Sequence, residues 1–160
     1  MREKTIEELL FIYSNIIAEL KRRDILRTTN LIGEVGEHLA VEKLNSINAQ
    51  NNIVLASPGT EGYDAFDCQT NIRYSIKAVT RKTTSVVRGL EPPGSNNEDI
   101  KLFDYMVIVK FNKDNYMLEQ IYMFDWETFV SYKGWHSRSN GWQISLTSRF
   151  VNDNNVEKLI

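Results

Sequence analysis

Gly62-Tyr63-Asp64-Ala65-Phe66-Asp67-Cys68-Gln69-Thr70-Asn71-Ile72-Arg73-Tyr74-Ser75-Ile76-Lys77-Ala78-Val79-Thr80 is the stretch on which the fold turns. Two β-rich runs, 63–68 and 71–80, flank the polar pair Gln69-Thr70, which is the pattern of a hairpin. In the second run Ile72, Tyr74, Ile76 and Ala78 fall on one face, and Arg73, Ser75, Lys77 and Val79 on the other. Ser75 and Lys77 are therefore neighbours on one surface. Aspartate is depleted in strands, so Asp64 and Asp67 beside Tyr63 and Phe66 signal a specific demand on the side chain. The two differ in parity, and a regular strand directs only one of them to a shared site. Cys68, inside the first run, reads as a small packing residue.

Upstream, residues 5–22 place Ile6, Leu9, Leu10, Tyr13, Ile16, Ile17 and Leu20 at helical spacing, with Thr5 and Glu8 in the form of a capping box. The expected role of that stripe is packing. A second helix is expected from about Asn30, a competent cap, to Leu44. Gly33 and Gly36 each cost about 1 kcal/mol relative to Ala in a helix interior, so they signal close approach, either of a neighbouring strand or of a substrate backbone. Glu37 emerges from this small and apolar face, with Glu34 three residues earlier adding a like charge. A cation nearby would remove the conflict.

Downstream come a short β run at 53–56, a turn at 57–62 and a loop at 91–99 read as a surface segment able to move. Strands are expected at 103–111 and 117–124, a helix at 126–132 capped by Asp125, and a last strand at 142–146. The order predicts a mixed α/β (α+β) fold with a central sheet covered by helices, as a single domain over 1–160 whose core spans about 30–150.

The chain has 160 residues, 42% hydrophobic and 25% charged, with a net charge of -2, so it can fold but its overall field does not attract a polyanion. One cysteine and two histidines exclude a disulfide framework and a Cys-clustered zinc site. No apolar run approaches the roughly 20 residues of a membrane-spanning helix, and the expectation is a cytoplasmic protein without a membrane partner. A local cationic patch stands out: between Asp67 and Glu91 lie Arg73, Lys77, Arg81, Lys82 and Arg88 with no acid. Thr80, Thr83, Thr84 and Ser85 add hydroxyls, and phosphate oxygens accept from both kinds of group. Near the C-terminus Trp135, His136, Arg138, Trp142 and Arg149 admit a base-stacking reading, though packing is the commoner role of tryptophan.

Taken together, Gly33-Glu34-Val35-Gly36-Glu37-His38-Leu39-Ala40, Gly62-Tyr63-Asp64 and Ser75-Ile76-Lys77 resemble the PD-(D/E)xK nuclease superfamily, the restriction-endonuclease-like fold. The resemblance spans roughly 31–81. It implies that Glu37 is the helix acid, Asp64 the principal metal-binding aspartate and Lys77 the catalytic lysine, with Glu34, Asp67 and Ser75 as auxiliaries. Arg73, Arg81, Lys82 and Arg88 would then contact nucleic acid. It further implies Mg2+ or Mn2+ held by Asp64 and Glu37, duplex DNA as substrate, and an endonuclease, either a restriction enzyme or its small subunit. Cutting both strands implies a homodimer or a nuclease-subunit partner. Ser75 stands where the family carries Glu or Asp, which leaves the alternative of a catalytically degenerate relative that binds nucleic acid or protein.

Overall fold

Residues 73–79 and 105–111 lie side by side and parallel at the centre of the sheet, Tyr74 opposite Tyr105 and Ile76 opposite Val107. The computed structural model describes residues 3–28 and 30–160. Its elements in chain order are α1 (Ile6–Arg22), α2 (Leu31–Ile47), β1 (Ile53–Leu55), β2 (Ala65–Asp67), β3 (Arg73–Val79), β4 (Tyr105–Phe111) and β5 (Leu118–Asp125). They are followed by α3 (Trp126–Tyr132), β6 (Gly134–His136), β7 (Gly141–Gln143), α4 (Ser148–Val151) and β8 (Glu157–Lys158). Six strands form one mixed sheet in the order β1-β2-β3-β4-β5-β8, and β6 and β7 form a separate hairpin. This is the mixed α/β architecture expected from the sequence.

Strand alternation sorts the core into two layers. Tyr74, Ile76, Val107 and Val109 point to the face covered by α2, where Ala40 and Leu44 meet them. Val79, Met106 and Ile108 point the other way, into a layer closed by Phe129 of α3 and Phe150 of α4. Phe103 meets Trp126 and Phe129 edge to face at 5.0 and 5.2 Å, a geometry that adds to the burial of each ring. A parallel pair needs a crossover, usually a helix. Here segment 80–104 crosses without one, and its backbone bonds go to the C-terminal part of the chain: Thr84 to Ile144, Val87 to Trp142 and Leu146 to Lys82.

Several expectations change. The helix α1 forms with its Thr5–Glu8 capping box, but none of its residues is buried, so its apolar stripe does not pack against this chain's core. Cys68 lies just past the short β2 and is exposed, because the strand ends at Asp67 where the turn begins. The strand expected at 142–146 is β7, paired with β6 outside the main sheet. Loop 91–99 is tied down: Trp142 Nε1 donates to the Glu91 carbonyl at 2.8 Å, and Lys133 forms an ion pair with Asp99. Trp135 and Trp142 pack edge to face at 5.1 Å, so these rings hold the hairpin together.

Candidate functional site: a carboxylate and lysine cluster at an open strand edge

Register decides which side chains meet. Ala65 pairs with Tyr74, so Asp64 stands opposite Ser75, on the face that also carries Lys77. Pairing of β2 along β3 stops at Asp64, whose N–H still donates to the Tyr74 carbonyl at 2.8 Å. Beyond it the edge of β3 is open. The Asp64 carboxylate takes over the role of the missing strand: its Oδ2 accepts from Ile76 N at 2.6 Å, Ser75 Oγ at 3.3 Å and Lys77 Nζ at 3.5 Å. Gly62, with φ +89, sets the turn that brings Asp64 to this position, in a region of backbone space that favours glycine.

Glu37 enters the cluster from α2. Its placement depends on Gly36, where an added Cβ would lie 2.6 Å from the Ala78 Cβ. The close approach is therefore to a strand, and the substrate-backbone reading of Gly36 is not needed. Gly33 faces its own cap, Asn30. Burial pushes the Glu37 carboxyl above the ordinary carboxylate range, and the Asp64 charge adds to that push, while Arg27 opposes it. Arg27 Nη2 donates to Glu37 Oε2 at 3.0 Å. This is the cation that the Glu34/Glu37 pairing called for, and the sequence reading did not find it. Arg27 lies in the connection before α2 and carries no motif; only the path of that connection brings it across.

The remaining candidates divide. Glu34 is buried and accepts from the Arg27 and Thr28 backbone N–H groups and from the Thr28 hydroxyl. Burial pushes its carboxyl up, but these bonds outweigh it and leave the group below its usual range. Glu34 thus anchors the α1–α2 connection. Asp67 lies on the opposite face from Asp64, as parity requires, and accepts from Gln69 N at 2.8 Å in the hairpin turn. Ser75 is buried and spends its hydroxyl on Asp64.

Of the basic patch, Arg88 joins the cluster. An open cleft of about 490 Å³ is lined by Glu61, Tyr63, Asp64, Ser75, Lys77 and Arg88. Glu61, which sequence reading passed over within a turn, stands at its rim. Arg81 and Lys82 are exposed just past the end of β3. Arg73 lies at the other end of that strand, held by Asp104 Oδ2 at 3.3 Å and the Lys101 carbonyl at 3.2 Å, so it does not belong to the same surface. Thr84 is buried and its hydroxyl accepts from Ile144 N, which removes it from the phosphate-facing set. His136 accepts from Ser139 N through Nδ1 at 3.1 Å, a turn-forming role.

The donor set at the cluster is hard oxygen. All three bonds to Asp64 go to Oδ2 and the Arg27 bond goes to Glu37 Oε2, so each carboxylate has a second oxygen outside these contacts. Two carboxylates are what magnesium takes when water and phosphate complete its octahedron. Among the described residues no three His, Cys, Asp or Glu side chains converge into a fuller cage. Nor is any described helix long and apolar enough to cross a membrane.

No protein-family model matches the chain, and no curated protein matches it. Among solved structures it is similar to a bacterial homing endonuclease, I-Ssp6803I, with a TM-score of 0.45 and 16% identity over 80% of this chain and 84% of that one. A likeness at that level does not carry an activity across. The class defined by the fold and the site is a mixed α/β protein with a carboxylate and lysine cluster beside an open cleft.

Proposed function

We propose that the protein is a metal-dependent endonuclease that hydrolyses phosphodiester bonds in DNA. The observation that carries this reading is the convergence of Ser75, Ile76 and Lys77 on Asp64 Oδ2, with the Glu37 carboxyl close enough for the Asp64 charge to raise it. Asp64 and Glu37 would hold Mg2+ or Mn2+. A bound divalent ion supplies charge neutralisation at the phosphate and a lowered pKa for water. Lys77, held against Asp64, presents its ammonium to the cleft where negative charge builds on a reacting phosphate. Arg88, with Arg81 and Lys82 beyond, would engage the phosphate backbone, which positions a duplex without reading its sequence.

The experiment is plasmid nicking with magnesium or manganese, beside Asp64→Ala and Lys77→Ala. The expected result is nicking by the wild type, loss of it in both variants, and loss on chelation. Equal nicking by all three proteins overturns the reading. The hydroxyl of Ser75, engaged with Asp64 where an acid would donate a third carboxylate, favours a second reading: a nuclease-like protein that binds nucleic acid without cutting it. That reading expects an inactive wild type that still binds DNA with salt-sensitive affinity, and gain of nicking in Ser75→Glu.

A further inference from the structure

The acids of this chain are unevenly placed. Two stretches hold no aspartate or glutamate: 68–90, with Arg73, Lys77, Arg81, Lys82 and Arg88, and 128–152, with Lys133, Arg138 and Arg149. All 21 acids lie elsewhere. Far apart in the chain, the two stretches are stitched together in the fold. Val87 and Trp142 exchange N–H···O bonds of 2.6 and 3.0 Å, Thr84 N donates to the Ile144 carbonyl at 3.0 Å, and Leu146 N donates to the Lys82 carbonyl at 2.7 Å. A chain of net charge -2 thereby joins its two acid-free segments, and a local basic surface on such a protein is the footprint of a polyanion partner. Part of the charge is neutralised or held within the fold: Lys133 pairs with Asp99, Arg73 with Asp104, and Arg149 lies over the Tyr132 ring at 5.5 Å. Arg81, Lys82, Arg88 and Arg138 are exposed, and none of them forms an ion pair among the described residues. The first three already belong to the reading above; Arg138 does not.

Arg138 stands at the tip of the β6–β7 hairpin, in the turn Ser137–Ser139. The hairpin is seated on the wall of the cleft, and Gly141 permits that seating: an added Cβ would lie 2.8 Å from the Val87 carbonyl oxygen and 2.9 Å from the Val86 Cβ. Val86 and Val87 line the cleft beside Arg88. The tip is held in one shape. His136 Nδ1 accepts from Ser139 N at 3.1 Å, Asn140 takes a left-handed conformation with φ 49, and the Trp135–Trp142 contact braces the strands beneath. A preformed tip loses little conformational freedom on contact. Contacts divided between a cleft wall and a projecting arm suit a stiff partner, and a DNA duplex, with a persistence length of about 150 base pairs, meets both points without bending. We propose that the β6–β7 hairpin is a DNA-contacting arm that carries the binding face past the cleft and sets Arg138 on the phosphate backbone of the duplex. The proposal rests on the reading above for its partner and not for hydrolysis, since such an arm serves a cutting and a non-cutting protein alike.

Binding of the full chain to a duplex of about three helical turns, roughly 30 base pairs, tests it, in buffer without divalent metal so that no strand is cut. Arg138→Gln should bind roughly 3- to 10-fold more weakly at about 0.1 M salt, and its plot of log affinity against log salt should be shallower by about 0.9, the slope of one phosphate contact. Its thermal transition should be that of the wild type, because the side chain is exposed. Arg138→Lys, which keeps the charge, should keep the wild-type slope. Lys158→Gln, on the far edge strand β8, removes the same charge away from the arm and should leave affinity and slope unchanged. Arg138→Gln with the wild-type slope overturns the proposal. So does a loss that Lys158→Gln matches, which reports net charge alone, and so does a wild type that binds no duplex or prefers the single strand. Plasmid nicking is read separately: its absence removes hydrolysis and leaves the arm, whereas an unshifted slope in a protein that nicks removes the arm and leaves hydrolysis.

Discussion

Gly36 and Ala78 meet across the α2–β3 interface so closely that a methyl group on the helix residue would sit 2.6 Å from the methyl on the strand residue. Neither partner can swing aside, because both atoms are fixed by backbone. The contact sets the height of α2 over the sheet, and with it the reach of Glu37, the next residue, toward Asp64. Gly36→Ala improves intrinsic helix propensity by about 1 kcal/mol, yet overpacking at such a site costs about 1–3 kcal/mol. The expected net result in a denaturant titration is a loss of stability. Gly36→Ala/Ala78→Gly should recover most of it, short of the roughly 0.5–1 kcal/mol that glycine costs within a strand.

Glu34 holds two backbone N–H groups that have no other partner in the described hydrogen bonds. Glu34→Ala should therefore destabilise the fold by about 1.5–3 kcal/mol, the net worth of hydrogen bonds made to a charged group. Its carboxyl lies below the usual range when folded, so the stabilisation is present above the unfolded-state pKa and is lost as pH falls through the folded one. The gap between wild type and Glu34→Ala should narrow on acidification, read as melting temperature against pH.

Glu37 has the opposite sign. Its carboxyl is raised in the folded state, by burial first and then by Asp64, so the fold loses stability as pH climbs from the unfolded value through the folded one. Glu37→Gln should be at least as stable as wild type at neutral pH, and that advantage should vanish in acid. Under the proposed function the same variant loses nicking. Stability gained together with activity lost is the pattern of a group retained for chemistry. A Glu37→Gln variant less stable than wild type at pH 7 would contradict the electrostatic account.

Lys133 and Asp99 form an ion pair with side chains only 12% and 15% exposed. The ammonium also lies 4.3 Å from the Trp142 ring centre. Lys133→Met removes one charge and strands the other, at a cost of about 3 kcal/mol. Limited proteolysis between Arg88 and Lys101 should accelerate, and Lys133→Met/Asp99→Asn should be less affected than the single change.

What the sequence disclosed depended on the range of the signal. Thr5, Asn30 and Asp125 cap their helices as read, because a cap is settled within four residues. The alternation along β3 and the separation of Asp64 from Asp67 followed from parity. By contrast, Arg27 reaches Glu37 through a connection whose path no local pattern records. The fate of α1 was misread for a related reason: an amphipathic stripe states that something apolar must cover it, and says nothing about whether the cover belongs to the same chain. Cys68 was misplaced because β2 ends one residue earlier than its composition suggests. The short strands β6 and β8 escaped notice, since three residues or two carry no periodicity.

The unhelical crossover between β3 and β4 carries a consequence for biosynthesis. Its amides and carbonyls close on Trp142, Ile144 and Leu146, which leave the ribosome well after β4. A nascent chain that has already paired Tyr74 with Tyr105 must therefore keep residues 80–104 as an unlatched span until residues 142–146 emerge. Sheet formation and sealing are separated in time by the translation of about forty residues, at a rate of roughly 5–20 per second. During those seconds the half-built protein has an open flank, and that interval is when a chaperone would find it.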